Sequence, residues 1–338
     1  MKQSCTPIPE RSDITPAVFE NEILPTSEPV VIRGLVAEWP LVRAAKRSPN
    51  DAASYLQGFD RGYGFSTAIA PPSAKGRFFY NEDFSGLNFK FGKSPLRESL
   101  EYLLDAESHG DPASLAVQSV PTRGALPGFM DENQNPLLSP EIEARIWIGN
   151  RVTIAAHYDP SENIACVGVG RRRFTLFPPE QVSNLYVGPE ELTPAGAAIS
   201  LVDFDNPDLE AFPRFPDAMA AAMTAELEPG DAIYIPYLWW HQVRSLDAFN
   251  ILINYWWTPP SNAHGMPRDV LMHALLTLQS LPPAHRRAWK KMFDHYVFKE
   301  NGEPAAHLPE ERRGILGELD SEAQRQIRAA LARKLSRL

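Results

Sequence analysis

Residues 145–177 read RIWIGNRVTIAAHYDPSENIACVGVGRRRFTLF, and the fold is decided here. Runs of β-branched and aromatic residues at 145–148, 152–157, 163–169 and 172–177 are punctuated by Gly149-Asn150, Asp159-Pro160 and Gly170. Strand-length runs broken by turn residues at short intervals predict a barrel or sandwich. Further runs at 231–235 and 249–257 continue the pattern, and Val30, Val31 and Ile32, closed by Gly34, add a short strand upstream.

Outward from this core the texture changes. Residues 180–228 form a proline-rich insertion with weak periodicity, and an insertion of that length in a compact domain is commonly a functional cover. Residues 41–115 mix helical signals at 51–56 and 95–106 with aromatic-rich loops. After Pro260 the signal turns helical, at 267–281, 283–298 and 321–338. In the last of these Ile327, Leu331, Leu335 and Leu338 share one face. That stripe docks either on its own domain or on a second copy. A catalytic unit over 1–262, with core 145–257, and a helical region over 263–338 are the expected domains.

Composition narrows the class. With 338 residues, 43% hydrophobic and 22% charged, the chain matches a globular protein. Its 33 basic and 42 acidic residues give a net charge of −9, against a surface that tracks nucleic-acid phosphates. No run reaches the ~18 apolar residues of a membrane span, and no signal peptide is visible, so a cytoplasmic protein is expected. Cys5 and Cys166 stand alone, which excludes a disulfide framework or a thiolate zinc site. The 32 prolines favour short strands and turns.

With 8 histidines and 42 carboxylates in 338 positions, chance supplies 8 × 42/338, about one His-x-acid pair. There are two. His109-Gly110-Asp111 lies in a polar turn and reads as solvated loop. His157-Tyr158-Asp159 closes a strand, where i and i+2 point to one face. A carboxylate buried beside an imidazole needs either a mutual hydrogen bond or a cation. His241 follows 84 residues after His157 (241 − 157), behind the Ala232–Ile235 strand signal. Two histidines and one carboxylate suit a non-haem Fe(II) with open positions, whereas a structural zinc would want four closed ligands. Arg172 shares a strand face with Phe174 and Leu176, so it needs an anion: a bound carboxylate or an internal Asp or Glu. Asn163 and Asn254 are candidates to donate to a bound carboxylate or water, or to satisfy backbone groups.

These residues, with Phe174-Thr175-Leu176-Phe177-Pro178-Pro179, Val202-Asp203-Phe204-Asp205-Asn206-Pro207, Pro229-Gly230-Asp231 and Tyr234-Ile235-Pro236-Tyr237-Leu238-Trp239-Trp240-His241, resemble the JmjC or cupin-like Fe(II) and 2-oxoglutarate oxygenases. The closest likeness is to the asparaginyl hydroxylase branch that acts on hypoxia-inducible factor. The resemblance covers about residues 25–260. It implies a double-stranded β-helix, the jelly-roll or cupin barrel, mainly β with flanking helices and a C-terminal helical extension. It implies Fe(II) on His157, Asp159 and His241, and 2-oxoglutarate as cosubstrate near Arg172, Asn163 and Asn254. The C-terminal helices resemble a homodimerisation element. There are four departures from the hydroxylase: Arg172 stands for a lysine, Ile154 for a threonine, Ala116 for a tyrosine, and Ala198-Ile199 for the Arg-Gln pair that holds the target asparagine.

The expected function is hydroxylation of a protein side chain or a small metabolite, with no nucleic-acid or membrane partner. A non-redox metal cupin of isomerase type and a catalytically silent interaction module are the alternatives.

Overall fold

The computed structural model describes residues 5–108, 110–194, 196–258 and 265–336; His109, half of the discarded pair, lies outside them. The chain divides into two compact units, Met1–Thr258 and Pro259–Leu338.

In chain order the strands of the first unit are β1 (Thr6–Pro7), β2 (Glu10–Arg11), β3 (Val30–Ile32), β4 (Gly64–Ala70), β5 (Arg77–Phe78), β6 (Lys90–Pro95), β7 (Ser114–Pro121) and β8 (Ala144–Gly149). They continue with β9 (Thr153–His157), β10 (Glu162–Val169), β11 (Arg172–Phe177), β12 (Met223–Leu227), β13 (Ala232–Ile235), β14 (Trp240–Ser245) and β15 (Asn250–Trp257). The larger sheet runs β2-β3-β13-β10-β15-β8-β7-β4-β6 and the smaller β1-β12-β11-β14-β9-β5. Strands β8 to β15 therefore distribute four to each sheet, which is a double-stranded β-helix. The pairings among them are antiparallel.

Burial explains why β10 and β15 read as nearly unbroken apolar runs. Ala165, Val167 and Leu252 point between the sheets, where they meet Phe174, Leu176, Ile233 and Ile235. Their neighbours Ile164, Cys166, Ile251 and Ile253 point outward onto Leu41, Leu56, Leu100 and Phe129. The outer layer is built from helices Pro40–Arg47, Pro49–Gln57 and Leu96–Asp105. Gly168 is required there, since a Cβ would lie 2.7 Å from Leu41 Cδ2. Gly170 turns the chain from β10 into β11 at φ +68.

The expected strands recur within one or two residues. Strands β4 and β6, within 41–115 where sequence showed helices and loops, and β7, which begins at the end of that stretch, extend the larger sheet. The proline-rich insertion ends in β12, so its cover portion stops near residue 222. Its Leu185, Val202, Phe215 and Ala218 pack on Ala156, Phe177 and Trp240 of the smaller sheet.

The second unit contains helices Pro267–Leu278, Pro283–Tyr296 and Ser321–Leu335. Leu271, Leu275, Trp289, Met292, Leu331 and Leu335 are exposed, and Leu338 lies outside the described residues. No helix among the described residues is long and apolar enough to cross a membrane.

Candidate metal centre

His157 ends β9 and His241 lies directly opposite it near the start of β14. Asp159 follows in the loop after β9, and the backbone N–H of Leu238 donates to its carbonyl at 3.1 Å. Leu238 holds φ 62, a conformation non-glycine residues seldom adopt, so the loop before β14 is bent to pin the loop carrying Asp159. One ligand atom from each of His157, Asp159 and His241 lies within 4.8 Å of the others.

Hydrogen bonding decides which atoms face inward. His157 Nδ1 donates to the Ala155 carbonyl at 2.9 Å, and His241 Nδ1 to the Trp239 carbonyl at 3.1 Å. A carbonyl only accepts, so each Nδ1 carries the proton and each Nε2 keeps its lone pair. His241 Nε2 lies 3.4 Å from Asp159 Oδ2. Two imidazole nitrogens and a carboxylate, with no fourth His, Cys, Asp or Glu in the group among the described residues, fit Fe(II).

Behind Asp159 runs a chain of forced assignments. The Trp147 indole can only donate, and it donates to Asn254 Oδ1 at 2.7 Å. Asn254 Nδ2 then faces Asn163 Oδ1 at 3.3 Å, and Asn163 Nδ2 faces Asp159 Oδ2 at 3.4 Å. The Trp256 indole donates to the same Oδ2 at 3.0 Å. The two asparagines satisfy side chains, not backbone, and each retains one amide N–H. Such outer partners orient a ligand and are commonly worth ~10–100-fold in metal affinity.

Arg172, 6% exposed, has no ion-pair or hydrogen-bond partner among the described residues, and its Nε is one of the few buried polar atoms left unsatisfied. The internal salt bridge that sequence left open is therefore not made. Ser245 is its direct cross-strand partner, so the two side chains share a face. The Ser245 hydroxyl is also buried and unsatisfied. Burial pushes the guanidinium down to about 10, still charged at neutral pH.

One cavity of about 610 Å³ is lined by His157, Asp159, His241, Asn163, Asn254 and Arg172. All six residues singled out in sequence thus converge. Ile154 and Ile199 also line it; Ala116 and Ala198 do not. Ala116 packs instead with Ala68, Phe78 and Phe89. Sequence reading assigned Trp256 to the barrel wall and missed Trp147 and Ser245. An alternation count along β14 from His241 would have signalled Ser245; Trp147 lies on β8 of the other sheet, where no such count reaches it.

Burial, reinforced by the charge of His241, pushes His157 from its ordinary 6.5 down to about 4. An unfolded chain therefore takes up this proton first as pH falls. Metal-free stability should drop between about pH 6.5 and 4, by up to ~3 kcal/mol for a gap of 6.5 − 4. For Asp159 burial acts upward, but the His241 hydrogen bond, both imidazole charges and the Trp256 N–H outweigh it and hold the carboxyl below its usual range. Its contribution is lost at still lower pH, as pH falls through that depressed value. Chemical denaturation of metal-free protein at neutral pH and near pH 4.5 checks this; equal stability at both would contradict it.

A family model described as a cupin-like domain matches residues 16–263. Among curated proteins, a lysine-specific demethylase of Arabidopsis thaliana, JMJ31, is 36% identical over 103 residues, 30% of this chain and 18% of the relative. JmjC domain-containing protein D of Dictyostelium discoideum is 27% identical over 255 residues, 69% of this chain and 52% of the relative. The tRNA wybutosine-synthesizing protein 5 of Gallus gallus is 32% identical over 145 residues, 38% of this chain and 42% of the relative. The matched stretches thus span at most about half of these relatives' lengths.

Proposed function

The chain belongs to the cupin-like domain family, and from that premise we propose that it is an Fe(II)- and 2-oxoglutarate-dependent oxygenase. The observation that carries this reading is an unpaired, buried guanidinium in the same cavity as two imidazoles and a carboxylate. His157, Asp159 and His241 would hold Fe(II), and Arg172 the distal carboxylate of 2-oxoglutarate. When bound, the pair supplies the oxidising chemistry: O₂ converts 2-oxoglutarate to succinate and CO₂, and one oxygen atom enters a substrate C–H bond. The protein's part is to bind, orient and exclude water. The Trp147–Asn254–Asn163 relay and Trp256 fix Asp159. Phe174, Val243 and Leu252 make the cavity around Arg172 apolar, which strengthens its grip on an anion.

Ser245 does not itself line the cavity, but it shares the Arg172 face and its buried hydroxyl is unsatisfied, and on that ground we infer that it is a second donor to that carboxylate. Ser245→Ala is expected to weaken 2-oxoglutarate binding about tenfold, the scale of one hydrogen bond to a charged group. Ser245→Thr should retain it. Calorimetric titration with Mn(II) in place of Fe(II) reads both; unchanged affinity in the alanine variant would remove Ser245 from the site. The same titration on unaltered protein tests the reading as a whole, since a non-redox cupin or an interaction module has no use for 2-oxoglutarate.

The second unit is proposed to pair with its own copy. Leu271 and Leu275 lie four residues apart on one helix and are both exposed, and burying such a side chain is worth ~1.5–3 kcal/mol. Light scattering should give twice the chain mass, falling to one chain mass in Leu271→Glu/Leu275→Glu. A monomeric unaltered protein would contradict this.

A further inference from the structure

The cavity's charges are few. Apart from the histidine–aspartate set and Arg172, every described residue that lines it is uncharged, with Ser66, Phe78, Phe91, Gln118 and Thr193 among them. A methylated ammonium entering it would find no carboxylate except Asp159. A cage of aromatic faces is the other way to hold such a cation. Here Trp256 already has the Arg145 guanidinium 5.7 Å from its ring centre, Trp147 meets Trp256 edge to face at 6.0 Å, Phe78 and Phe91 each meet Phe89 and Tyr158 meets Trp240 edge to face, and Phe174 packs in the core between the sheets. A phosphate would fare no better, because the arginine of the lining is Arg172, which the cosubstrate takes, and Arg145 outside the lining donates to the Ser119 carbonyl and hydroxyl. An unpaired charge buried there would cost several kcal/mol.

A second, independent feature lies beside Phe91. Strand β6 ends the larger sheet and pairs only with β4 among the described residues. Lys90, Phe91, Gly92 and Lys93 are all exposed, Phe91 at 57% although it also lines the cavity. Lys93 lies opposite Ser66, so Ser66, Phe91 and Lys93 share the cavity face of the sheet. Neither lysine has an ion-pair partner among the described residues. Edge lysines repel a second copy of the same edge and leave it open to a strand of opposite charge.

Resting on the oxygenase reading, we propose that the substrate is an extended, acidic stretch of polypeptide that adds to the free edge of β6 and turns an uncharged side chain into the cavity. Main-chain hydrogen bonds to β6 would supply affinity, and alternate side chains would meet Phe91 and Lys93. The lining disfavours both the lysine and the tRNA chemistry in the names of its relatives.

The test selects a random peptide library, displayed on mRNA, against the full chain loaded with Mn(II) and 2-oxoglutarate. Enrichment of acidic, β-prone peptides with an uncharged bulky residue is expected. Phe91→Ala should weaken the selected peptides about tenfold, and Lys93→Glu should turn the preference from acidic to basic, which misfolding would not do. Methylating the backbone nitrogen at alternate peptide positions should abolish binding for one set only. Enrichment of lysine or arginine at the central position, selection unaffected by the Lys93 charge reversal, or no enrichment at all would overturn the proposal. If 2-oxoglutarate binds and the selection fails, only the substrate assignment falls; if 2-oxoglutarate does not bind, the oxygenase reading itself has failed.

Discussion

Arg172→Met is expected to weaken 2-oxoglutarate binding by between about 30-fold and a few thousand-fold. Truncating one partner of a buried, hydrogen-bonded charge pair costs ~2–5 kcal/mol, and every 1.4 kcal/mol is tenfold. The effect is large because no described group replaces the guanidinium: Arg172 is the one charged side chain of the lining outside the metal set. Metal affinity measured without 2-oxoglutarate should change little, because Arg172 has no partner among the metal-holding residues. The folded protein should gain stability, since burial alone opposes the charge when no anion is present. A variant that binds 2-oxoglutarate as well as the unaltered protein would leave the orphaned guanidinium without an explanation.

Asp159→Ala is expected to lower metal affinity by more than ~100-fold, beyond the ~10–100-fold that outer partners command. The carboxylate is the sole anionic donor of the set, and without it two neutral imidazoles face each other with ring centres 4.3 Å apart. Trp256→Phe provides the graded comparison. It removes one N–H from Asp159 and keeps an apolar ring, so it should fall inside the ~10–100-fold range. Competition with a fluorescent chelator reads both variants. Loss in Trp256→Phe equal to that in Asp159→Ala would mean that the indole, not the carboxylate, organises the centre.

Much of this arrangement was legible in the sequence, for definite reasons. Strands β8, β10 and β15 showed because both faces of the larger sheet are covered there, so their residues are largely apolar; β9 and β11 of the smaller sheet showed through their β-branched and aromatic residues. Strand β6 was hidden because an exposed edge has no core to pattern it: Lys90, Gly92 and Pro95 carry no strand signature. Strand β14 was masked by its outward Gln242 and Arg244, and β12 by Thr224 and Glu226. His157 and Asp159 announced themselves through the two-residue period of a strand. Arg172 could be read only as needing an anion, and three dimensions were required to show that the protein supplies none. Ser245 was invisible since its register against Arg172 depends on the long connection between β11 and β12. The roles of Trp147 and Trp256 were obscured because an indole in a barrel is ordinarily wall, and only coordinates reveal where its N–H points.

The central claim meets its most direct test in succinate release. Purified protein is incubated with Fe(II), ascorbate and 2-oxoglutarate, with and without cell extract, beside the Asp159→Ala protein. Succinate above that control, dependent on oxygen and increased by a protease-sensitive component of the extract, is the result predicted by the Fe(II), 2-oxoglutarate and polypeptide assignments together. Succinate that never exceeds the Asp159→Ala level would contradict the oxygenase assignment.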